Sequence, residues 1–204
     1  MTTKQARKLP IWWIAGGVAA AALVATVILT LSGGGFEFGS PTVSGEGLPA
    51  LVDSAADPAV GAPIPAVDGA DFDGSAVTLA ADGHAKMILF LAHWCTHCQA
   101  EVPVVQEWLD AGGLPDGVDF YSVATGISET RDNFPPDAWL EREGWTPPVI
   151  VDDEASTVGA HFGLDAFPFW VFVYPDGTVA GRVTGRLDPP TLERIANDLL
   201  SRGE

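Results

Sequence analysis

Residues 87–98 have the sequence MILFLAHWCTHC, and they decide how the rest of the chain is interpreted. The first six residues form a continuous apolar run, which is typical of a central strand buried on both faces of a sheet. Shortly after this run come the only two cysteines of the chain, Cys95 and Cys98. Two thiols separated by two residues at the start of a helix can form and break a disulfide without large backbone movement. The stretch therefore predicts a redox-active pair at a strand-to-helix junction.

The remaining pattern alternates strands and helices. Val102, Val105 and Leu109 repeat at helical spacing after the cysteines, and the N-terminus of such a helix favours a thiolate at Cys95. We predict strands or hairpins at 67–79, 87–92, 118–125, 149–151, 169–174 and 178–184, and helices at about 95–111, 137–143, 155–162 and 189–201. Pro175-Asp176-Gly177 separates the last two strands and indicates a β-hairpin. This pattern predicts an α/β fold in which helices flank a mixed sheet.

The N-terminal part has a different composition from the rest. Residues 11–31 are apolar apart from two threonines, which is long enough for a transmembrane helix. Three basic residues precede this run and the next is Lys86, so the positive-inside rule predicts a cytoplasmic tail at 1–10. Residues 32–58 are rich in Gly, Ser, Pro and Ala and predict a flexible linker, with a globular domain at 59–204. The alternative is a cleaved signal peptide, but no clear cleavage site closes the run.

The charge of the exported part excludes some functions. The chain has 10 Lys+Arg and 27 Asp+Glu. Without the three basic residues of the tail, 7 positive charges remain against 27 negative ones, a formal charge of about −20. Such an acidic domain is not expected to bind nucleic acid or anionic lipid. Gln99 rather than histidine follows Cys98, which argues against c-type haem attachment; we expect no cofactor.

Several motifs in order resemble the thioredoxin superfamily. They are the buried strand, Trp94-Cys95-x-x-Cys98, Pro103 in the following helix, and Phe167-Pro168 before an apolar strand. The chain looks most like the membrane-anchored TlpA-like thiol-disulfide oxidoreductases, because of its leading apolar segment, the insertion after the second strand of the core, and Glu101. The resemblance implies a thioredoxin-like fold in which Cys95 attacks a partner and Cys98 resolves the mixed disulfide. It also implies that Pro168 is cis and packs beside the pair.

Three further residues are candidates for the site. Glu101 lies one helical turn beyond Cys98 and is expected to accept its proton, because thioredoxin's buried aspartate is replaced here by Leu89; the alternative is a solvated glutamate. A cationic His97 would favour the Cys95 thiolate and make the disulfide a stronger oxidant, unless it is only an exposed histidine. Trp94 either flanks the disulfide or simply packs in the core.

These inferences predict a single-pass plasma-membrane protein with its domain outside the cytoplasm. It would exchange disulfides with exported proteins through Cys95 and Cys98 and use a membrane electron donor or acceptor. The resemblance favours a reductase, as in cytochrome c maturation, whereas His97 favours a disulfide-forming oxidant or an isomerase. Alternatives from other classes are a metal-binding protein using the cysteines with a histidine, and a non-catalytic interaction module. For His93 we weigh an added positive potential against a surface role.

Overall fold

The predicted α/β architecture is present in the computed structural model, which describes residues 36–201. The strands are β1 (Thr42–Ser44), β2 (Ala66–Ala70), β3 (Ala76–Leu79), β4 (Ala85–Leu91), β5 (Val118–Ala124), β6 (Val149–Val151), β7 (Phe169–Val173) and β8 (Val179–Thr184). The α-helices are α1 (Thr96–Asp110), α2 (Pro136–Arg142), α3 (Thr157–His161) and α4 (Pro189–Ser201), and Ser54–Ala56 form a 3-10 helix. Every helix and strand predicted from the sequence is therefore present, with its ends shifted by at most two or three residues.

The main sheet is mixed and has the order β6-β5-β4-β7-β8. Strand β4 is central, parallel to β5 and antiparallel to β7. Strand β6 continues the parallel half, and β8 forms a hairpin with β7 around the Pro175-Asp176-Gly177 turn. A separate antiparallel sheet has the order β1-β2-β3. The mixed sheet that the sequence predicted is confirmed.

Strand β4 is buried along its whole length, as its apolar composition predicted. Met87, Leu89 and Leu91 face a core formed with α1, α2 and α4. Ile88 and Phe90 face a second core that includes residues of α3 and of the small sheet. Each fully buried side chain of this size contributes about 2 kcal/mol through the hydrophobic effect. This strand thus fixes the position at which α1 and its cysteines begin.

The predicted flexible linker at 32–58 is wrong for its described part from residue 38 onward, because the compact unit begins at Phe38. Residues 42–44 form β1 and pair with β2. Leu48 and Leu51 are buried in the second core. Asp57 forms a bidentate ion pair with buried Arg182 of β8, with 3.0 Å between Nε and Oδ2. A composition rich in Gly and Pro predicts a linker, but two buried leucines and one ion pair are enough to pack this irregular segment against the core.

The predicted tail at 1–10 and the predicted transmembrane anchor at 11–31 lie outside the described residues. Within residues 36–201, no helix combines the length and the apolar character needed to span a bilayer.

Candidate redox site

Cys95 and Cys98 lie at the start of α1, directly after the central strand. Cys95 is the N-cap residue, and its amide donates a hydrogen bond to the Ala92 carbonyl at 3.0 Å. Cys98 lies in the first turn and is fully buried, whereas Cys95 is 9% exposed. Both are free thiols in this structure, so the predicted disulfide stays a prediction. The strand-to-helix placement of the pair is confirmed.

The two thiols differ in their electrostatic environment. Burial raises the pKa of Cys98 far above its ordinary value, and the neighbouring Cys95 and Glu101 raise it further, although a hydrogen bond with the Ala92 backbone opposes the change. A thiolate at Cys98 therefore needs a base to take its proton. Of the two cysteines, only Cys95 keeps some exposed surface.

Pro168 lies beside the reactive sulfur through its preceding residue. The Phe167–Pro168 peptide bond is cis, as the resemblance implied. The Sγ atom of Cys95 lies 3.7 Å from the carbonyl oxygen of Phe167. The Pro168 carbonyl accepts a hydrogen bond from the Gly185 amide at 2.8 Å, which ties this loop to the end of β8. The carbonyl group that precedes Pro168 thus contacts Cys95, and a working role for Pro168 itself stays a prediction.

Trp94 flanks the site as a fixed, half-buried ring. Its Nε1 donates a hydrogen bond to the Gly126 carbonyl at 2.7 Å. The ring of Phe167 meets it edge-on, with 5.7 Å between the centroids. Gly126 has a positive φ of 61°, and a Cβ at this position would lie 3.1 Å from the Phe167 ring. Trp94 and Phe167 together form an aromatic wall that continues to the loop carrying Pro168.

Glu101 is fully buried in α1, so the alternative of a solvated glutamate is wrong. One oxygen accepts a hydrogen bond from the Leu187 amide at 2.8 Å, and the other lies 3.3 Å from Nε of Arg186. Burial raises the pKa of Glu101, and the Leu187 amide and Arg186 partly oppose this effect. The indole of Trp170 also lowers this pKa. A buried carboxyl with a raised pKa is a better proton acceptor than an ordinary glutamate, which fits a role as the base for Cys98.

Comparisons with known proteins agree with this geometry. A family model described as Redoxin matches residues 59–199. The chain belongs to the redoxin family. It is similar to a thiol-disulfide oxidoreductase, ResA, of Oceanobacillus iheyensis, with 29% identity over 118 residues. That match covers 58% of this chain and 58% of the length of ResA, which is less than two thirds of the relative. Family and relative together support a thioredoxin-like oxidoreductase.

Solved structures share the fold. The structure of MTB dsbF in its mixed oxidized and reduced forms is 28% identical, with a TM-score of 0.52, and the match covers 65% of this chain and 93% of that one. A putative protein disulfide isomerase from Bacteroides thetaiotaomicron has a TM-score of 0.60 at 19% identity, covering 78% and 96% of the two chains. A thioredoxin family protein from Chlorobium tepidum has a TM-score of 0.57 at 22% identity, covering 69% and 97%. The last two, at these identities, show the thioredoxin-like fold alone.

His97 lies in the first turn of α1, between the two cysteines of this redoxin, and its side chain is exposed. Within residues 36–201 it forms no hydrogen bond or ion pair through its side chain. Its predicted influence on the Cys95 thiolate therefore rests on its position alone and stays a prediction. The same part of the chain contains no group of three or more His, Cys, Asp or Glu residues arranged to hold a metal ion.

His93 is not the surface residue or source of positive potential that the sequence allowed, because it is buried. Its Nδ1 lies 2.7 Å from the Asp132 carbonyl, and its Nε2 accepts a hydrogen bond from the Ser128 amide at 3.1 Å. Burial lowers the pKa of His93, the Asp132 carbonyl opposes this, and the cation of Arg131 lowers it further. The ring is therefore neutral near pH 7. One sequence signal pointed to this role: a polar residue that directly continues a buried strand needs hydrogen-bond partners.

Sequence reasoning missed two arginines of the site. Arg131 lies over the Trp94 ring, with Cζ 4.0 Å from the ring centroid. Arg186 reaches Glu101 from the loop between β8 and α4. Both are distant in sequence from the residues they contact, so no local spacing signals the contacts.

Proposed function

We propose that this chain is a membrane-anchored, extracytoplasmic thiol-disulfide oxidoreductase of the TlpA-like kind, acting on exported proteins. The observation that carries the proposal is the asymmetry of the pair: Cys95, at the helix start, keeps 9% of its surface exposed, while Cys98 and Glu101 are fully buried. An accessible nucleophile followed by a buried resolving thiol is the arrangement that disulfide exchange requires.

In the reducing direction, the Cys95 thiolate attacks one sulfur of a partner disulfide. That bond breaks, one partner sulfur leaves as a thiolate and takes up a proton, and the other is held in a mixed disulfide with Cys95. Cys98 then passes its proton to the Glu101 carboxylate and attacks the Cys95 sulfur. The second partner sulfur leaves, and the Cys95–Cys98 disulfide remains. Two electrons have passed from the pair to the partner, and oxidation of a partner dithiol runs through the same steps in reverse.

Two directions of electron flow are compatible with this geometry. Likeness to TlpA-like proteins favours a reductase that draws electrons through the membrane, with cytochrome c maturation as one use. The exposed position of His97 between the cysteines favours the second candidate, a disulfide-forming oxidant or isomerase of secreted proteins, since a cation there stabilises the reduced form. Redox couples of this fold span roughly −270 to −120 mV, so both are physically accessible.

The cellular location in this proposal rests on the sequence. The apolar run at 11–31 anchors the chain in the plasma membrane, and the basic residues before it hold the N-terminus in the cytoplasm. The domain then lies outside, where its partners would be the thiols and disulfides of exported proteins.

Trapping with Cys98→Ala in the native membrane tests the proposal. Without the resolving thiol, partners stay covalently bound to Cys95 and can be identified by mass spectrometry after non-reducing electrophoresis. Cys95→Ala is the matched control and is expected to trap few partners, since Cys98 is buried. Cytochrome apoproteins among the partners would indicate a maturation reductase, and a broad set of secreted proteins a folding oxidant. Absence of any trapped partner would sink the exchange mechanism.

A further inference from the structure

The loop at 128–133 is attached to the residue that precedes the redox motif. The Ser128 amide donates to Nε2 of His93, which leaves the proton on Nδ1 for the Asp132 carbonyl. The side-chain Nδ2 of Asn133 also donates to the His93 carbonyl, at 3.4 Å. These contacts lie on both sides of Arg131. The position of Arg131 is therefore fixed by a buried histidine two residues before Cys95.

Arg131 is in turn held against the aromatic wall of the site. Its guanidinium lies 4.0 Å above the Trp94 ring, a distance at which cation and ring attract each other. The Trp94 ring cannot turn freely, because its Nε1 donates a hydrogen bond to the Gly126 carbonyl and the Phe167 ring packs against it in a T-shaped contact. A guanidinium in a cation–π contact keeps its N–H groups available as hydrogen-bond donors.

Arg131 differs from the other arginines of residues 36–201. The side chains of Arg142, Arg182, Arg186 and Arg194 each donate to a carboxylate, an amide oxygen or a backbone carbonyl. Within the same residues, the guanidinium of Arg131 has no hydrogen bond or ion pair, although it is exposed and has acidic neighbours at 129 and 132. A cation with free donors thus lies on the ring of Trp94, the residue directly before Cys95, in a chain that is strongly acidic as a whole.

We propose that Arg131 is a specificity determinant that binds a carboxylate of the partner protein, an Asp or Glu close to the cysteine that Cys95 attacks. The inference rests on the proposed function and deepens it by naming the partner's local chemistry. The planar fork of the guanidinium matches a carboxylate. The chain has a net charge of −17, so that it repels acidic segments in general. Arg131 is the local cation that would attract an acidic segment and so distinguish it from a neutral one.

The test uses the full chain in detergent, reduced beforehand, and three peptides with one intramolecular disulfide each. The peptides differ only in whether Glu, Gln or Lys lies next to one cysteine. The second-order rate constant for reduction of each peptide is measured by stopped flow for the wild type, Arg131→Gln and Arg131→Lys. Arg194→Gln is the matched control, because it removes an exposed arginine charge from α4, where, among residues 36–201, Arg194 forms an ion pair with Asp198.

We expect the wild type and Arg194→Gln to reduce the Glu peptide about threefold to fivefold faster than the Gln peptide, the range of an exposed ion pair. This preference should fall with added salt. Arg131→Gln should reduce both at the same rate, and Arg131→Lys should keep part of the preference. Using a ratio removes any general loss of activity in a variant. The inference is overturned, and the proposed function is not, if the wild type does not prefer the Glu peptide or if Arg131→Gln keeps that preference. If the reduced chain reduces none of the three peptides and the oxidised chain oxidises none of their dithiol forms, the proposed function is overturned and the inference with it.

Discussion

The buried carboxyl of Glu101 is paired with Arg186, whose Nε lies 3.3 Å from Oε2 although the arginine side chain is itself 46% exposed. Folding removes the Glu101 carboxyl from water, whereas its cationic partner, Arg186, remains in contact with solvent. The Leu187 amide binds the other oxygen from the same loop. The β8–α4 loop therefore sets how easily Glu101 takes up a proton.

Arg186→Gln should shift the pH dependence of mixed-disulfide resolution. Burial raises the pKa of Glu101 and Arg186 opposes it, so removing the cation raises this pKa further. Less carboxylate is then available at a given pH, and resolution by Cys98 should need a higher pH. The release of a thiol peptide from a preformed mixed disulfide, followed from pH 5 to 9, measures the shift.

Two further variants define this experiment. Glu101→Gln should slow release about a hundredfold, the usual contribution of a general base, and remove the pH dependence due to Glu101. Arg194→Gln should leave the profile in place. A profile for Arg186→Gln that coincides with that of the wild type would show that Arg186 has no influence on the base.

Alkylation of the reduced protein should discriminate between the two cysteines. Iodoacetamide reacts with thiolates, and Cys98 is both fully buried and shifted to a higher pKa. Each unit of that shift lowers the thiolate fraction tenfold. At pH 7.5 the Cys98→Ala variant should be modified at Cys95 about tenfold or more faster than Cys95→Ala is modified at Cys98. Intact-protein mass spectrometry gives both rates, and equal rates would contradict the assignment of the attacking thiol.

His93 should make stability depend on pH below its ordinary pKa of 6.5. Burial lowers the pKa of His93 in the folded state. At a pH between the folded and the unfolded pKa, His93 therefore carries a proton in the unfolded chain but not in the folded one. The free energy of unfolding therefore falls as pH drops through this window. Protonation of His93 also removes the acceptor for the Ser128 amide. The hydrogen-exchange rate of this amide at pH 5 should therefore exceed the rate expected from the intrinsic pH dependence of exchange.

His93→Gln is the test of this assignment. It should cost roughly 1–3 kcal/mol at pH 7 through loss of buried hydrogen bonds, and it should flatten the pH dependence between 5 and 7. Urea unfolding at several pH values measures both effects. A variant with the slope of the wild type would assign the pH dependence to other groups.

The Asp57–Arg182 pair should be essential for stability. Both side chains are fully buried, and Asp57→Ala would leave the guanidinium without its carboxylate, at a cost of about 3–5 kcal/mol. Asp53→Ala, which removes an exposed cap of the neighbouring 3-10 helix, should cost about 1 kcal/mol or less. Chemical unfolding compares the two variants. A loss for Asp57→Ala as small as that for Asp53→Ala would contradict the stabilising role of this ion pair.

This pair also gives a pH signature. The pKa of Asp57 is lowered, because hydrogen bonds and charge from Arg182 together outweigh the desolvation that raises it. Its stabilising contribution is present above the ordinary value of 3.8 and is lost as pH falls through the lowered pKa of the folded state. Asp57→Asn should therefore be less sensitive to acid below pH 4 than the wild type.

Most of the fold could be predicted because its signals are local. The apolar run at 87–92 becomes the fully buried β4, and the cysteines begin α1 as their spacing indicated. Pro189–Ser201 has the predicted bounds, since its apolar residues repeat at helical spacing after two prolines. Irregular segments carry no such period, which is why the composition of 32–58 predicts a linker although residues 38–58 belong to the compact unit.

The sequence by itself determined the chemistry of this protein: two cysteines in redox spacing after a buried strand, a proline loop, and a glutamate one turn further along the helix. Only the tertiary structure decided how those groups are tuned. In the folded chain, Glu101 is buried and paired with Arg186, and Arg131 lies over the Trp94 ring. His93 is buried and neutral, and its ring forms hydrogen bonds with the loop at 128–133. Periodicity reports which face of a helix or strand is buried, but pKa values and ordered cations depend on contacts between residues that are distant in sequence. Such contacts exist only once the sheet has brought its loops together.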